Sequence, residues 1–318
     1  MTPEQQDSCG QRRYLFVSSI DASRGLGGHH DPALPRGLGR RGSTDRAPRI
    51  ESSQQNHRYL AIDVDSAAMQ TTELQDAVDA ISWYHKMELP GGILTPGESD
   101  TARGLPRLRL PERLDGLSVL DIGAWDGFYS FEAKRRGAAR VLATDSYSWT
   151  GPGWGSKAGF LLARRALGLD VEDLDIDVME LAPDRVGTFD VVLLLGVLYH
   201  LKDPITAIER AASVTNHLLI VETVTNLSFS PFPAARLFVG SELNNDDSNW
   251  WALNPTALHL LLKRTGFQDV QTIYRTQLAR RVARAVDQSI RHQRSFWSQV
   301  RGARIVLHAR REPQILRS

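Results

Sequence analysis

Between residues 117 and 310, short apolar runs alternate with amphipathic stretches, the rhythm of an α/β chain. Runs of strand length lie at 117–122, 140–145, 189–195, 217–223, 270–274 and 304–309. The run Phe189-Asp190-Val191-Val192-Leu193-Leu194-Leu195 is nearly continuous, which predicts a strand buried on both faces, as in a parallel sheet covered by helices. Helical patterns fall between the runs. One spans about 157–167, one is opened by Asp203-Pro204 and runs to about 214, and one is opened by Asn254-Pro255 and closed by Gly266. In the last two, a short polar side chain is placed to cap the helix and proline takes the first helical position. Upstream, Leu74, Ala77, Val78 and Ile81 fall on one face of a helix beginning near Thr71. Residues 224–251 and 276–302 break the alternation and read as insertions into a domain spanning 117–318, preceded by a helical or lid segment at 57–116.

The first run ends in Asp121-Ile122-Gly123-Ala124-Trp125-Asp126-Gly127, and a helical pattern follows at once. This is the grammar of a strand-to-helix turn that holds a nucleotide, with glycines that let a ligand approach the backbone. The spacing is not the Gly-x-Gly-x-x-Gly that cradles a pyrophosphate, and no phosphate-loop Lys-Ser or Lys-Thr follows. An acid two residues before Gly123 suits a cationic ligand end instead. Asp145 closes the next run, where a carboxylate can accept both hydroxyls of a ribose or, equally, cap a helix. Tyr199 and His200 stand just past the carboxyl end of the 189–195 run, where ligands of parallel sheets bind. A lone histidine is often a satisfied structural residue; beside a cofactor, a neutral imidazole can take the proton of an attacking hydroxyl.

Taken together, Asp121 to Gly127 and Asp145 resemble motif I and the following acid of class I S-adenosylmethionine (SAM)-dependent methyltransferases. In that family Asp-x-Gly-x-Gly-x-Gly is usual, and here Trp125 stands at the middle glycine. The resemblance implies a Rossmann-like fold, a seven-stranded, mostly parallel sheet with helices on both faces. It implies SAM over the carboxyl ends of strands one to four. It also implies Asp121, Gly123, Trp125, Gly127, Asp145, Asp177, Val178 and Leu195 as cofactor positions, with Asp177 at the adenine amino group, although Asp173 and Asp175 lie close by. Tyr199 and His200 are the catalytic candidates.

Upstream of the sheet, Trp83-Tyr84-His85, Glu88-Leu89-Pro90-Gly91-Gly92 and Thr95-Pro96-Gly97 read either as a lid beside the substrate or as an anchor for the first helix. With Gly196-Val197-Leu198-Tyr199-His200, these motifs are similar to a narrower subfamily, the tRNA wobble-uridine (5-methoxyuridine or carboxymethyl) methyltransferases. The similarity covers roughly 70–310. It implies that carboxylated SAM would need cationic groups for its extra carboxylate. Arg304 matches an arginine used there, but residues 98–116 hold Arg103, Arg107, Arg109 and Arg113 and neither the lysine nor the tryptophan expected.

Composition narrows the picture modestly. A chain of 318 residues with 42% hydrophobic content can bury a sizeable core, and a net charge of +1 selects no partner. The single cysteine, Cys9, excludes an intramolecular disulfide framework and suits a reducing cytosol. No apolar stretch is long enough to span a membrane, no signal-type leader is evident, and no ligand-spaced cluster calls for a metal. Residues 1–56, rich in Gly, Arg, Ser, Asp and Pro, read as a disordered tail. Arginines from Arg275 to Arg311 face one acid, Asp287, while Leu278, Val282, Val286 and Ile290 form an apolar stripe. This predicts an amphipathic helix whose basic face meets tRNA phosphates, an anionic substrate, an anionic membrane surface or simply solvent.

These features lead to O-methylation of a small-molecule or carbohydrate hydroxyl from SAM in the cytoplasm, with Tyr84, Asn249, Trp250 and Arg304 as substrate-side candidates. The alternative is tRNA wobble-uridine (carboxy)methylation, and the second alternative is a non-catalytic SAM-binding, RNA-associated protein. The oligomeric state is not legible in the sequence.

Overall fold

The structure, a computed structural model, describes residues 70–153, 156–243, 246–292 and 302–311. The stretch 1–56 expected to be disordered lies outside the described residues, as do 293–301, which close the second expected insertion.

Seven strands form one sheet: β1 (Ser118–Ile122), β2 (Arg140–Asp145), β3 (Glu172–Asp175), β4 (Phe189–Leu195), β5 (Thr215–Thr225), β6 (Asp269–Arg275) and β7 (Ala303–Arg310). Their order is β6-β7-β5-β4-β1-β2-β3. The pairs among β1 to β5 are parallel, and β7 runs antiparallel between β5 and β6. The chain winds outward from β1 to β3, then crosses back to start β4 on the other side of β1. That reversal opens a crevice at the carboxyl ends of β1 and β4.

Helices α1 (Thr71–Asp79), α2 (Phe128–Arg135), α3 (Ala158–Leu167), α4 (Pro204–Ser213) and α5 (Pro255–Arg264) cover the sheet. Alternation along the strands decides which face each side chain serves. Val119, Val191, Leu193, Leu218 and Ile220 pack into one core with Leu74 and Val78 of α1, Phe131 of α2 and Phe160 of α3. Their neighbours Leu120, Val192, Leu194, Leu219 and Val221 pack into a second core with Ile208 and Ala211 of α4 and Leu258 and Leu262 of α5. The near-continuous apolar run of β4 is therefore required by a sheet covered on both faces.

The expected caps form. Asp203 accepts the Thr206 amide at 3.0 Å, and Asn254 accepts the Ala257 amide at 2.8 Å. Asn254 is fully buried and also ties down the segment before it, accepting the Ala234 amide and donating to the Phe232 carbonyl. Strand β5 is longer than the run at 217–223, so the segment laid over the sheet edge begins only after Thr225. Within it, residues 235–237 pair antiparallel with 251–253.

The arginine-rich stretch forms the expected helix, α6 (Leu278–His292). Its apolar stripe does not face the core: Leu278, Val282, Val286 and Ile290 are all exposed, at 52%, 37%, 43% and 76%. The helix turns Arg281 and Ala285 inward instead. A small alanine permits close approach, and the Arg281 guanidinium lies 5.4 Å from the Phe229 ring centre, so its apolar stem is buried and its charge meets a π face.

Candidate functional site

The β1–α2 turn is built by its neighbours. The amides of Gly123 and Ala124 both donate to the Thr144 carbonyl, at 2.7 and 3.0 Å, clamping the turn to β2. Trp125, at the position usually held by glycine, adopts a left-handed φ of 51°. An L-residue carries a cost of roughly 1–2 kcal/mol there. Three contacts offset it: the Trp125 amide donates to Asp145 Oδ2 at 3.0 Å, its carbonyl accepts Trp149 Nε1 at 2.8 Å, and its ring stacks on Tyr84 with centres 4.1 Å apart.

Asp126 fixes the other partner of that stack. Its Oδ2 accepts the amides of Tyr84 and His85, at 2.7 and 2.9 Å. In the Trp83-Tyr84-His85 segment, Trp83 is buried in the core and Tyr84 lies against the turn. Composition alone did not single out Asp126; only its place inside the turn marks it.

Two acids end the neighbouring strands. Asp121 is 1% exposed and accepts the Ser130 hydroxyl at 2.6 Å. Burial pushes its pKa up to about 6, against the opposing pull of that hydrogen bond. Asp145 is buried too, and burial raises its pKa while amide donors from Ser148 and Trp125 pull it down. Both of its oxygens already accept an amide, but each carboxylate oxygen keeps a second lone pair for a further donor. Farther along the edge, Asp177 is exposed and caps the turn Val178–Glu180 by accepting the Met179 amide, with Val178 buried behind it. Asp173 is instead engaged by Lys157 and Arg164, which leaves Asp177 the better placed of the two for a ligand.

Across the crevice, β4 leads into Leu198–His200. Here the structure assembles a group that the sequence does not reveal as a unit. Arg304 on β7 donates Nη1 to both oxygens of Glu222 on β5, each at 2.8 Å, and Nη2 to the Tyr199 hydroxyl at 3.2 Å. Glu222 holds the Arg304 pKa well above its ordinary value; burial raises that of Tyr199, with Arg304 pulling it back. The Arg304 side chain sits among many neighbours and still keeps 42% exposure, as befits the wall of an open crevice. His200 packs against the Tyr199 ring, and its Nδ1 lies 2.8 Å from the Ser248 hydroxyl.

The segment after β5 is held against this edge through Trp250, whose amide donates to the Tyr199 carbonyl at 2.8 Å. Asn249 was expected on the substrate side. Its Nδ2 donates inside the segment to the carbonyls of Leu243 and Asp246, the residue is 1% exposed, and its Oδ1 is buried without a partner. Tyr84 thus lies against the β1–α2 turn and Arg304 beside Tyr199, while Trp250 meets the Tyr199 carbonyl through its backbone and its ring lies under the Lys202 ammonium, 5.0 Å away. Among the described residues no cluster of histidine, cysteine or acids could hold a metal ion, and no helix is long and apolar enough to cross a membrane.

A doubly wound sheet with this strand order, and acids ending the two strands beside the switch point, defines a class I SAM-dependent methyltransferase. The comparisons agree: the chain belongs to the methyltransferase domain family, whose model matches residues 98–272. It is 26% identical over 282 residues to the tRNA U34 carboxymethyltransferase of Pseudomonas aeruginosa (strain LESB58), covering 85% of this chain and 81% of that one. It is 30% identical over 164 residues to the tRNA U34 carboxymethyltransferase of Ectopseudomonas mendocina (strain ymp), covering 50% and 48%. Among solved structures, the N-terminal domain of EvdMO1, determined in the presence of S-adenosylhomocysteine and D-fucose, aligns with a TM-score of 0.55 at 19% identity over 77% of this chain and 99% of that one, a likeness of fold. The protein is therefore an enzyme and its cofactor is SAM. The names of its relatives point toward the tRNA reading that the sequence placed second.

Proposed function

We propose that the enzyme moves an ordinary methyl group from SAM to a hydroxyl of a small molecule or carbohydrate. The observation that carries this reading is the bidentate hold of Glu222 on Arg304. A carboxylated cofactor brings one more negative charge into the crevice and needs a cation with charge to spare, whereas here the arginine is already matched by an acid. Two arginines of the 98–116 stretch are engaged elsewhere: Arg107 lies over the Tyr274 ring and Arg113 pairs with Asp115.

The residues present fit SAM. In this reading Asp121 would hold the cofactor's ammonium, the turn from Gly123 to Gly127 and Asp145 would hold its methionine part and ribose hydroxyls, and Asp177, Val178 and Leu195 would hold the adenine. SAM supplies a methyl carbon on a sulfonium, so the acceptor oxygen gains a C–O bond, the C–S bond breaks with its electron pair left on sulfur, and the acceptor's proton must leave. His200 takes that proton; burial holds its pKa below the ordinary value, so the ring is neutral near pH 7 and able to accept. Tyr199 accepts from Arg304 and keeps its own hydroxyl proton to donate, and the stacked Tyr84 and Trp125 wall the crevice.

A second reading, carboxymethyl transfer to tRNA, is favoured by the relatives' names and by the position of Arg304 beside Tyr199. The two part in one experiment. The purified enzyme is incubated with methyl-labelled SAM and two acceptor pools from the source cells, tRNA and low-mass hydroxyl compounds with glycans. Label is expected in the second pool. Label confined to tRNA would overturn the proposal in favour of the second reading.

A further inference from the structure

His200 is the end of a three-member chain. Its Nδ1 lies 2.8 Å from the Ser248 hydroxyl, and that hydroxyl donates to Asp246 Oδ1 at 2.6 Å. Asp246 Oδ1 also accepts the Ser248 amide at 2.9 Å, which fixes the serine under the carboxylate. A hydroxyl has one proton. If it goes to the carboxylate, the stronger acceptor, then serine meets His200 only through its lone pair, and Nδ1 must carry the hydrogen of that contact. The other ring nitrogen, Nε2, is then a bare lone pair.

The relation of the three residues is not local in sequence. His200 follows the carboxyl end of β4, while Asp246 and Ser248 belong to the segment laid over the sheet edge. Two backbone bonds hold that segment in register: the Trp250 amide on the Tyr199 carbonyl and the Phe238 amide on the Trp250 carbonyl. Asn249, whose amide closes the loop on Leu243 and Asp246, gains a purpose in this arrangement, because it keeps Asp246 beside Ser248.

We propose that Asp246 and Ser248 are positioning residues that hold His200 as its Nδ1–H tautomer, so that Nε2 faces its task as acceptor of the substrate hydroxyl's proton. This rests on the hydroxyl-methylation reading above. When the proton arrives, the imidazolium it forms is one hydroxyl away from a carboxylate, so the positive charge is stabilised through Ser248 rather than left unmatched. The groups facing His200 are Asp246 from the overlying segment, Arg304 from β7 and the Tyr199 ring, 4.3 Å away between centres. Tyr147 reaches the same serine and is set near Asp246 and Asp247. Asp246 raises the His200 pKa and Arg304 lowers it, so removing the acid moves the histidine's titration downward.

The test reads the ring directly, without an acceptor substrate. Imidazole nitrogens are isotope-labelled in the full chain, and the His200 signals are assigned by their loss in His200→Gln. Near pH 7.5 the native protein is expected to show Nδ1–H over Nε2–H by at least about tenfold. Ser248→Ala and Asp246→Asn should bring the ratio to within about threefold of unity. Ser248→Thr, which keeps the hydroxyl, should restore it. In Asp246→Asn the His200 titration midpoint should also fall. Melting curves confirm that each variant folds, and Ser248→Ala, which removes one side-chain atom, serves if Asp246→Asn does not. A native Nε2–H tautomer, or a ratio indifferent to Ser248→Ala, overturns the proposal while leaving SAM-dependent transfer untouched. Absence of methyl transfer with the tautomer intact would instead count against the functional reading alone.

Discussion

Asp121→Asn is expected to raise the Kd for SAM by at least about a hundredfold at pH 7.5 while making the unliganded protein more stable, not less. The opposing signs follow from the burial of one carboxylate. A charged acceptor holding an ammonium contributes more than a neutral amide can replace. In the free protein, however, that charge is desolvated, and the pKa of Asp121 is raised to about 6 from the ordinary value of 3.8. A carboxyl whose folded pKa lies above its unfolded one favours the folded state fully only at low pH; the benefit is lost as pH rises and the folded protein must ionise it. The shift corresponds to a cost of roughly 3 kcal/mol above pH 6. The asparagine variant escapes it, so its melting temperature should exceed that of the native protein at pH 7.5, with the gap closing toward pH 4. Affinity carries the same signature. SAM binding by the native protein should weaken by up to tenfold per pH unit below about 6, as Asp121 takes up its proton, and the variant should show no such dependence. Calorimetric titrations and melting curves across pH check both halves. Native-like affinity in the variant would remove Asp121 from the cofactor site.

Gly127→Ala is expected to destabilise the fold by about 2–4 kcal/mol, combining the overpacking of a close-packed interior with the strain of an L-residue in the left-handed region. Gly127 opens α2 at a φ of 84°, and a β-carbon there would stand 2.6 Å from the Phe160 ring and 2.8 Å from that of Phe131. Both rings are 1% exposed and have nowhere to retreat. The expected fall in melting temperature is roughly 5–15 °C. Gly168 supplies the control, since it has a φ of 61° with nothing within 4 Å of the added carbon, so Gly168→Ala should show the strain alone, about 1 kcal/mol. Equal effects of the two substitutions would mean that the rings can give way.

The contrast between these two positions marks what was legible before the structure. Local grammar carried far. The buried run of β4, the caps at Asp203 and Asn254, and the acid-then-glycine turn after β1 each announce themselves within a few residues, because each is a local requirement of backbone or packing. Strand β3 does not. Its sequence, Glu-Asp-Leu-Asp, pairs only with β2 at the sheet edge, and an edge strand facing solvent has no apolar pattern to display. Arg304 and Tyr199 could be named individually, but the bonds of Arg304 to Glu222 and to Tyr199 join residues 82 and 105 positions apart, which no periodicity encodes. The same holds for Asp246 and Ser248 beside His200. The stripe on α6 shows a related limit of periodicity: it reveals that one face is apolar, not which face turns inward, and here Ala285 and Arg281 decide the contact. The conflict at Trp125 is of another kind. A left-handed tryptophan at a glycine's position breaks a local rule, and the stack on Tyr84 and the hold of Asp126 on the segment before it are the compensation.

The crevice is expected to take ordinary SAM rather than its carboxylated form, because Glu222 already answers the charge of Arg304. Calorimetric titration of the purified native chain with SAM and with carboxy-SAM, under one set of conditions, tests it most directly. SAM is expected to bind more tightly, by at least about tenfold, because the added carboxylate would meet an arginine already paired with an acid. Tighter binding of carboxy-SAM would contradict it, and would make tRNA the first acceptor to try.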